Sequence, residues 1–183
     1  MLKTRVCDIA SDKLLKEPKI LQQVIDLLCT DVGHLPVQVT CDLVSKCNHH
    51  SYMGAGALVG DTVVGFSWGR LYQISEMSGI APDIFTRFPR LSIDDYCFHI
   101  VTATSIRVTA ETALQIMKVV ARKPICSYPS ALCTAVIKEG SPSIIAAEKL
   151  GFKVVNSVAV PNFVFMAAEQ ARDINFFASI GQS

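Results

Sequence analysis

The chain has 183 residues, 50% of them apolar and 18% charged, and its 17 basic and 16 acidic side chains leave a formal charge of +1. The length suits a single domain over residues 1–183, and the apolar share excludes a disordered or low-complexity chain. So small a net charge excludes recognition of nucleic acid, or of an anionic membrane surface, by a bulk electrostatic field.

The start Met1-Leu2-Lys3-Thr4-Arg5 carries charges that interrupt any leader-like core, and a first strand is expected over residues 2–9 around Val6 and Ile9. Ile20, Leu21, Val24, Ile25, Leu27 and Leu28 recur at three- and four-residue steps. They predict an amphipathic helix that ends near residues 31–33, with Gln22, Gln23 and Asp26 on its wet side. A shorter helix is expected over 40–47. Cys41, Cys47, His49 and His50 gather soft ligands within ten residues, but their spacing matches no standard zinc pattern and no metal is expected.

Residues 55–59 and 62–68 read as two apolar strands joined by Gly60-Asp61, because glycine at the first central position suits a type II′ hairpin. Residues 72–95, with Gly79, Pro82 and Pro89, read as an irregular insertion holding one short helix. A strand follows over 96–104. Ala113, Ile116, Met117 and Val120 then mark a helical face that ends at Arg122-Lys123-Pro124, where the basic pair would complement the helix dipole. After a strand over 131–136, Ser141-Pro142 supplies a capping hydroxyl and a first-turn proline for a short helix that Gly151 ends. Strands over 153–160 and 162–167 flank Pro161, and a tail over 168–183 begins helically. Pro161 and Asn162 break the one long oily stretch, so a soluble protein is expected. Seven cysteines, odd in number and without a C-x-x-C pair, predict reduced thiols in a cytoplasm.

The segment Gly140-Ser141-Pro142-Ser143-Ile144-Ile145-Ala146-Ala147-Glu148-Lys149-Leu150-Gly151-Phe152 resembles the N-x-x-A-x-x-L-Y-E-K-L-G-F stretch of the GNAT superfamily of N-acyltransferases. Residues 55–65 are similar to that family's second and third strands, and the order of elements matches over most of the chain. The resemblance implies an α+β fold: a mixed, mostly antiparallel sheet of about six to seven strands with helices on both faces. It also implies transfer of an acyl group from acetyl-CoA or another acyl-CoA to a small-molecule amine, with no metal.

Carried onto this sequence, the resemblance places pantetheine along Val101, Thr102 and Ala103. It places the pyrophosphate at Arg107, Val108, Ala110, Thr112 and Ala113, where the family pattern is R/Q-x-x-G-x-G/A. Ala110 and Thr112 stand at the two glycines, Glu111 puts an acid beside them, and Ala147 stands at the family's general-acid tyrosine. Thr109 or Thr112 equally suits a plain helix cap. His99 and Tyr96 on the fourth strand, with Tyr128 before the fifth, are the candidate acids and bases, although a lone histidine on an apolar strand also suits a hydrogen-bonded core. Cys133 reads as buried rather than nucleophilic. A second reading follows from the same departures: a GNAT-like module that binds or joins subunits without catalysis. A third is a resemblance to acyl-homoserine-lactone synthases at Arg70-Leu71, Asp83-Ile84-Phe85 and Phe88-Pro89, without that subgroup's Glu and Arg on the fourth strand. Apolar residues left over in the insertion (Ile80, Ile84, Phe85, Phe88, Leu91) and tail (Phe176, Phe177) are expected to cover a substrate cavity or to form a homodimer contact.

Overall fold

Gly60 adopts φ +60, a left-handed conformation that glycine reaches without a Cβ penalty, and so turns β2 (Tyr52–Val59) back into β3 (Thr62–Gln73). Val59 pairs with Thr62 across the two-residue turn. Both strands outrun the expected ranges because β3 is paired on its other side too, against β4 (Tyr96–Thr104), through Gln73↔Tyr96.

The computed structural model of the chain describes residues 4–8, 17–31, 52–77, 84–105, 108–155 and 163–179. With β1 (Thr4–Asp8), β5 (Leu132–Lys138), β6 (Lys153–Val154) and β7 (Phe163–Ala168), the strands form one sheet in the order β1-β2-β3-β4-β5-β7-β6. Every neighbouring pair is antiparallel except β4 and β5. The expected helix over 40–47, the Cys41, Cys47, His49 and His50 group, Ile80, Asp83 and Arg107 lie outside the described residues.

Helix α1 (Pro18–Asp31) covers one face, where Val24 meets Phe66, Trp68 and Ala103. Gln23 departs from the expected wet side: its Oε1 accepts the Val63 N–H at 2.7 Å and its Nε2 donates to the Asp61 carbonyl at 3.2 Å, tying α1 to the hairpin turn. Among its described residues the insertion holds two four-residue helices rather than one, α2 (Ile74–Met77) and α3 (Ile84–Arg87). Ile74, Met77 and Ile84 are fully buried against Cys97, Leu132 and Phe165, with Phe88 and Leu91 packed beside them. Much of the apolar insertion is thus a second core on the α1 face, while Phe85 stays 40% exposed.

The opposite face is covered by α4 (Ala110–Ser127) and α5 (Pro142–Lys149), with Ala113, Leu114, Met117 and Val120 packed on Ala55, Ala57, Phe98 and Ile100. Helix α4 runs past the expected stop at residue 124. Pro124 lacks the N–H of an ordinary turn but its carbonyl still accepts the Tyr128 N–H at 2.8 Å, so one more turn forms and its last turn holds no basic residue. Helix α5 begins and ends as its sequence predicts: Ser141 accepts the Ser143 N–H and Pro142 opens the first turn. Gly151, at φ +95, closes the helix with its N–H on Glu148 and the Phe152 N–H on Ala147. That pair of bonds is the Schellman pattern. Of the strand expected over 153–160, β6 covers Lys153–Val154, residues 156–160 lie outside the described ones, and the tail opens with a 3₁₀ turn over Ala171–Asp173.

Candidate active site

Because β4 and β5 are parallel, both chains leave the sheet at the same end and both enter helices there. Helix α4 is capped by Thr109 and α5 by Ser141. Buried Thr104, the last residue of β4, has its hydroxyl 3.1 Å from that of Ser141 and 3.3 Å from that of buried Ser143. Two residues back, the Thr102 hydroxyl lies 2.9 Å from that of Ser67. A line of buried hydroxyls therefore runs along the α4/α5 face of β4 toward two helix N-termini, the electropositive ends of their dipoles. The crevice beyond the carboxyl ends of parallel strands is where α/β sheets take ligands.

A cavity of about 300 Å³ opens beside the start of α4, between Val108, Thr109 and Thr112 on one side and Val59, Thr62 and Val64 of the hairpin on the other. One N–H of the first turn of α4 is held by a side chain. Thr109 Oγ1 accepts the Thr112 N–H at 3.2 Å and lies 3.1 Å from the Thr112 hydroxyl, so Thr109 is the helix cap. Glu111 accepts from the Gln115 amide at 2.6 Å. Ala110 and Thr112 are half-buried and Ala113 is core. A Cβ at each position where the resembling pattern has glycine, and a carboxylate on the same turn, make this a poor cradle for pyrophosphate.

Pairing of β4 with β5 continues through Thr102↔Ile137. No opening between these strands lies at Val101 and Thr102, where the resemblance would run pantetheine, and only Ala103 and Thr104 extend beyond the ladder. Unbroken pairing leaves no room for a pantetheine arm between the strands there.

His99 lies on the other face of β4, toward α1. Its Nδ1 is 2.8 Å from the Thr134 hydroxyl, which also lies 3.4 Å from the Cys97 thiol. Arg70 is its register partner on β3, and the Arg70 guanidinium stacks 4.5 Å from the centroid of the Tyr72 ring, itself edge-on to the imidazole at 6.3 Å. Burial pushes the His99 pKa down to about 4, so the imidazole is neutral at pH 7. Burial likewise raises Cys97 to about 12, raises Cys133 on the opposite face, and raises Tyr72 despite the nearby Arg70 guanidinium. Neither buried cysteine carries the thiolate that a nucleophile needs.

The three candidate acids and bases are not brought together. Tyr96 is 43% exposed at the beginning of β4, its ring 6.0 Å from that of Tyr128 beyond the end of α4. That pair sits at the far end of the strand from Thr104, and the alternation of side chains puts Tyr96 and His99 on opposite faces. Ala147 is fully buried in the core, so no group stands in for the family's tyrosine there. Thr134, Tyr72 and the Thr104–Ser141–Ser143 hydroxyls were not singled out by the sequence. Their signal is the register of neighbouring strands, which a linear pattern does not carry. Arg70 and Leu71, which resemble a lactone-synthase pair, lie on β3, and Ile84 and Phe85 lie on α3.

No family model matches the sequence, and no curated protein matches it. Solved structures do share its architecture. An agmatine N-acetyltransferase in apo form superimposes with a TM-score of 0.60 at 11% identity, over 90% of this chain and 98% of its own. An acetyltransferase of the GNAT family from Streptococcus pneumoniae gives 0.57 at 9% identity, over 91% and 98%. The Salmonella typhimurium protein yncA, solved with its cofactor acetyl-CoA, gives 0.55 at 10%, over 92% and 94%. At these identities the likeness is one of fold: the chain has the mixed α+β, GNAT-like architecture.

Proposed function

We propose that the chain is an N-acyltransferase, moving an acyl group from acetyl-CoA or a longer acyl-CoA to a small amine in the cytoplasm. The observation that carries this reading is the convergence of two capped helix N-termini on the carboxyl ends of the parallel pair β4–β5, with Thr104 hydrogen-bonded to Ser141 between them. Such an end is electropositive and suits an anion or a developing oxyanion. The hydroxyl line, not His99, lies on the face that leads to it. His99 faces the other side of an unbroken ladder and is a base only for an acceptor that approaches from the α1 face.

A second reading is favoured by the self-capped first turn of α4 and by the closed β4–β5 ladder: a module of this fold that binds without transferring. Calorimetric titration with acetyl-CoA and with a longer acyl-CoA, beside melting-temperature shifts, separates the two, because a ligand of the folded state must raise stability. Binding with turnover of an amine supports the transferase. No heat and no shift at millimolar donor removes it.

A further inference from the structure

The sheet ends at β1, and along that edge lies a larger groove of about 640 Å³, apart from the start of α4. Its walls include Val6 on β1, the α4 residues Lys118, Val119 and Arg122, and the tail residues Phe176 and Phe177. Lys118 and Arg122 are one helical turn apart and so share a face of α4. The Lys118 ammonium also donates to the Ala178 carbonyl, which fixes the tail across the helix, while the Asn175 N–H on the Leu150 carbonyl at 2.8 Å anchors the tail's other end. Phe177 is 93% exposed, edge-to-face with Phe176 at 6.2 Å. Among the described residues, no acidic side chain lines the groove.

The groove thus joins an apolar trough of ligand size to two cations at one side, one of them already sharing its charge with a carbonyl. A polyanion would meet too few cations, and a neutral hydrocarbon would bring them no counter-charge. A second copy of the chain, seated here about a two-fold axis, would cover the groove with the same patch, which among the described residues lines it with two cations and no acid. We propose that this groove binds an apolar monocarboxylate of the medium-chain fatty-acid type, its carboxylate on Lys118 and Arg122 and its chain along Val6, Val119 and the two phenylalanines.

Decanoate is the probe, titrated calorimetrically into the full chain with no acyl-CoA present, so that the outcome is independent of the transferase reading. One-to-one binding is expected, with affinity rising about three- to fourfold per added methylene from octanoate to decanoate. Acetate and decanol should bind at least tenfold more weakly than decanoate. Arg122→Gln and Phe177→Ser, both at exposed positions, should each weaken decanoate at least tenfold and leave the melting temperature of the free protein unchanged. Absence of heat at millimolar decanoate overturns the proposal, as does equal binding of decanol or of either variant. Light scattering that shows a dimer dissolved by Phe177→Ser, with no decanoate binding, would make the groove a self-association surface instead.

Discussion

His99 and Thr134 face each other across the parallel β4–β5 ladder, the imidazole Nδ1 2.8 Å from the threonine hydroxyl. The bond satisfies one ring nitrogen in a place where burial holds the pKa at about 4, against 6.5 for a free histidine. Between those values the unfolded chain binds a proton that the folded chain refuses. The stabilising contribution of the neutral ring is therefore complete above pH 6.5 and is lost as pH falls toward 4. The shift corresponds to roughly 3 kcal/mol. Urea denaturation of the wild type and of His99→Gln at pH 7 and pH 4 should show a wild-type stability that falls more steeply on acidification, and parallel pH dependences would deny that His99 titrates as buried.

A Cβ built on Gly69 would lie 2.2 Å from Phe98 Cε1 and 2.6 Å from its Cζ, with Val120 Cγ1 at 3.0 Å. The ring of Phe98 fills the space that a side chain on β3 would need, so β3, β4 and α4 pack closely because residue 69 has none. Gly69→Ala should destabilise the protein by about 1–3 kcal/mol as an overpacking change. The double variant Gly69→Ala with Phe98→Leu should recover part of that loss, read as a non-additive coupling in denaturation midpoints.

Thiol chemistry separates the cysteines by burial. Cys126 is exposed on the last turn of α4, whereas Cys97 and Cys133 are buried with thiols held protonated. Brief iodoacetamide treatment at pH 7.5 followed by peptide mass mapping should modify Cys126 and leave Cys97 and Cys133 intact until denaturant is added. Early modification of Cys97 would show that the α1 face opens in the native protein.

Local chemistry was the legible part of this fold. Gly60-Asp61 and the Ser141-Pro142 start with its Gly151 stop are signals written in consecutive residues, and each forms the turn or cap expected of it. Pro124 misled because a proline removes only its own N–H from the ladder, while its carbonyl can still accept, and here Tyr128 bonds back to it. Gln23 misled because a polar side chain on a helix can turn inward wherever backbone groups such as the Val63 N–H are waiting. The polar contacts of the site span about 35 residues or more, as between Ser67 and Thr102, and depend on a register that the connecting helices set. The pantetheine path along Val101, Thr102 and Ala103 rested on the resemblance alone, and nothing in Val101 or Thr102 as residue types forbids their pairing with β5.

The start of α4 offers the sharpest test of where a donor would rest. Installing the glycines of the GNAT pattern by Ala110→Gly and Thr112→Gly removes two Cβ atoms from the turn and the hydroxyl that lies against the Thr109 cap. It should lower stability by about 1–2 kcal/mol, the usual helix penalty of two glycines. If pyrophosphate is held by the N–H groups of this turn, the same change should tighten acetyl-CoA binding at least tenfold by calorimetry, and Glu111→Gln should add to it by removing a like charge. A double variant that loses the stability and gains no affinity would place any donor elsewhere. The self-capped turn would then be a structural helix start, as the Thr109–Thr112 bond by itself implies, and the non-transferring module would become the better account of the chain.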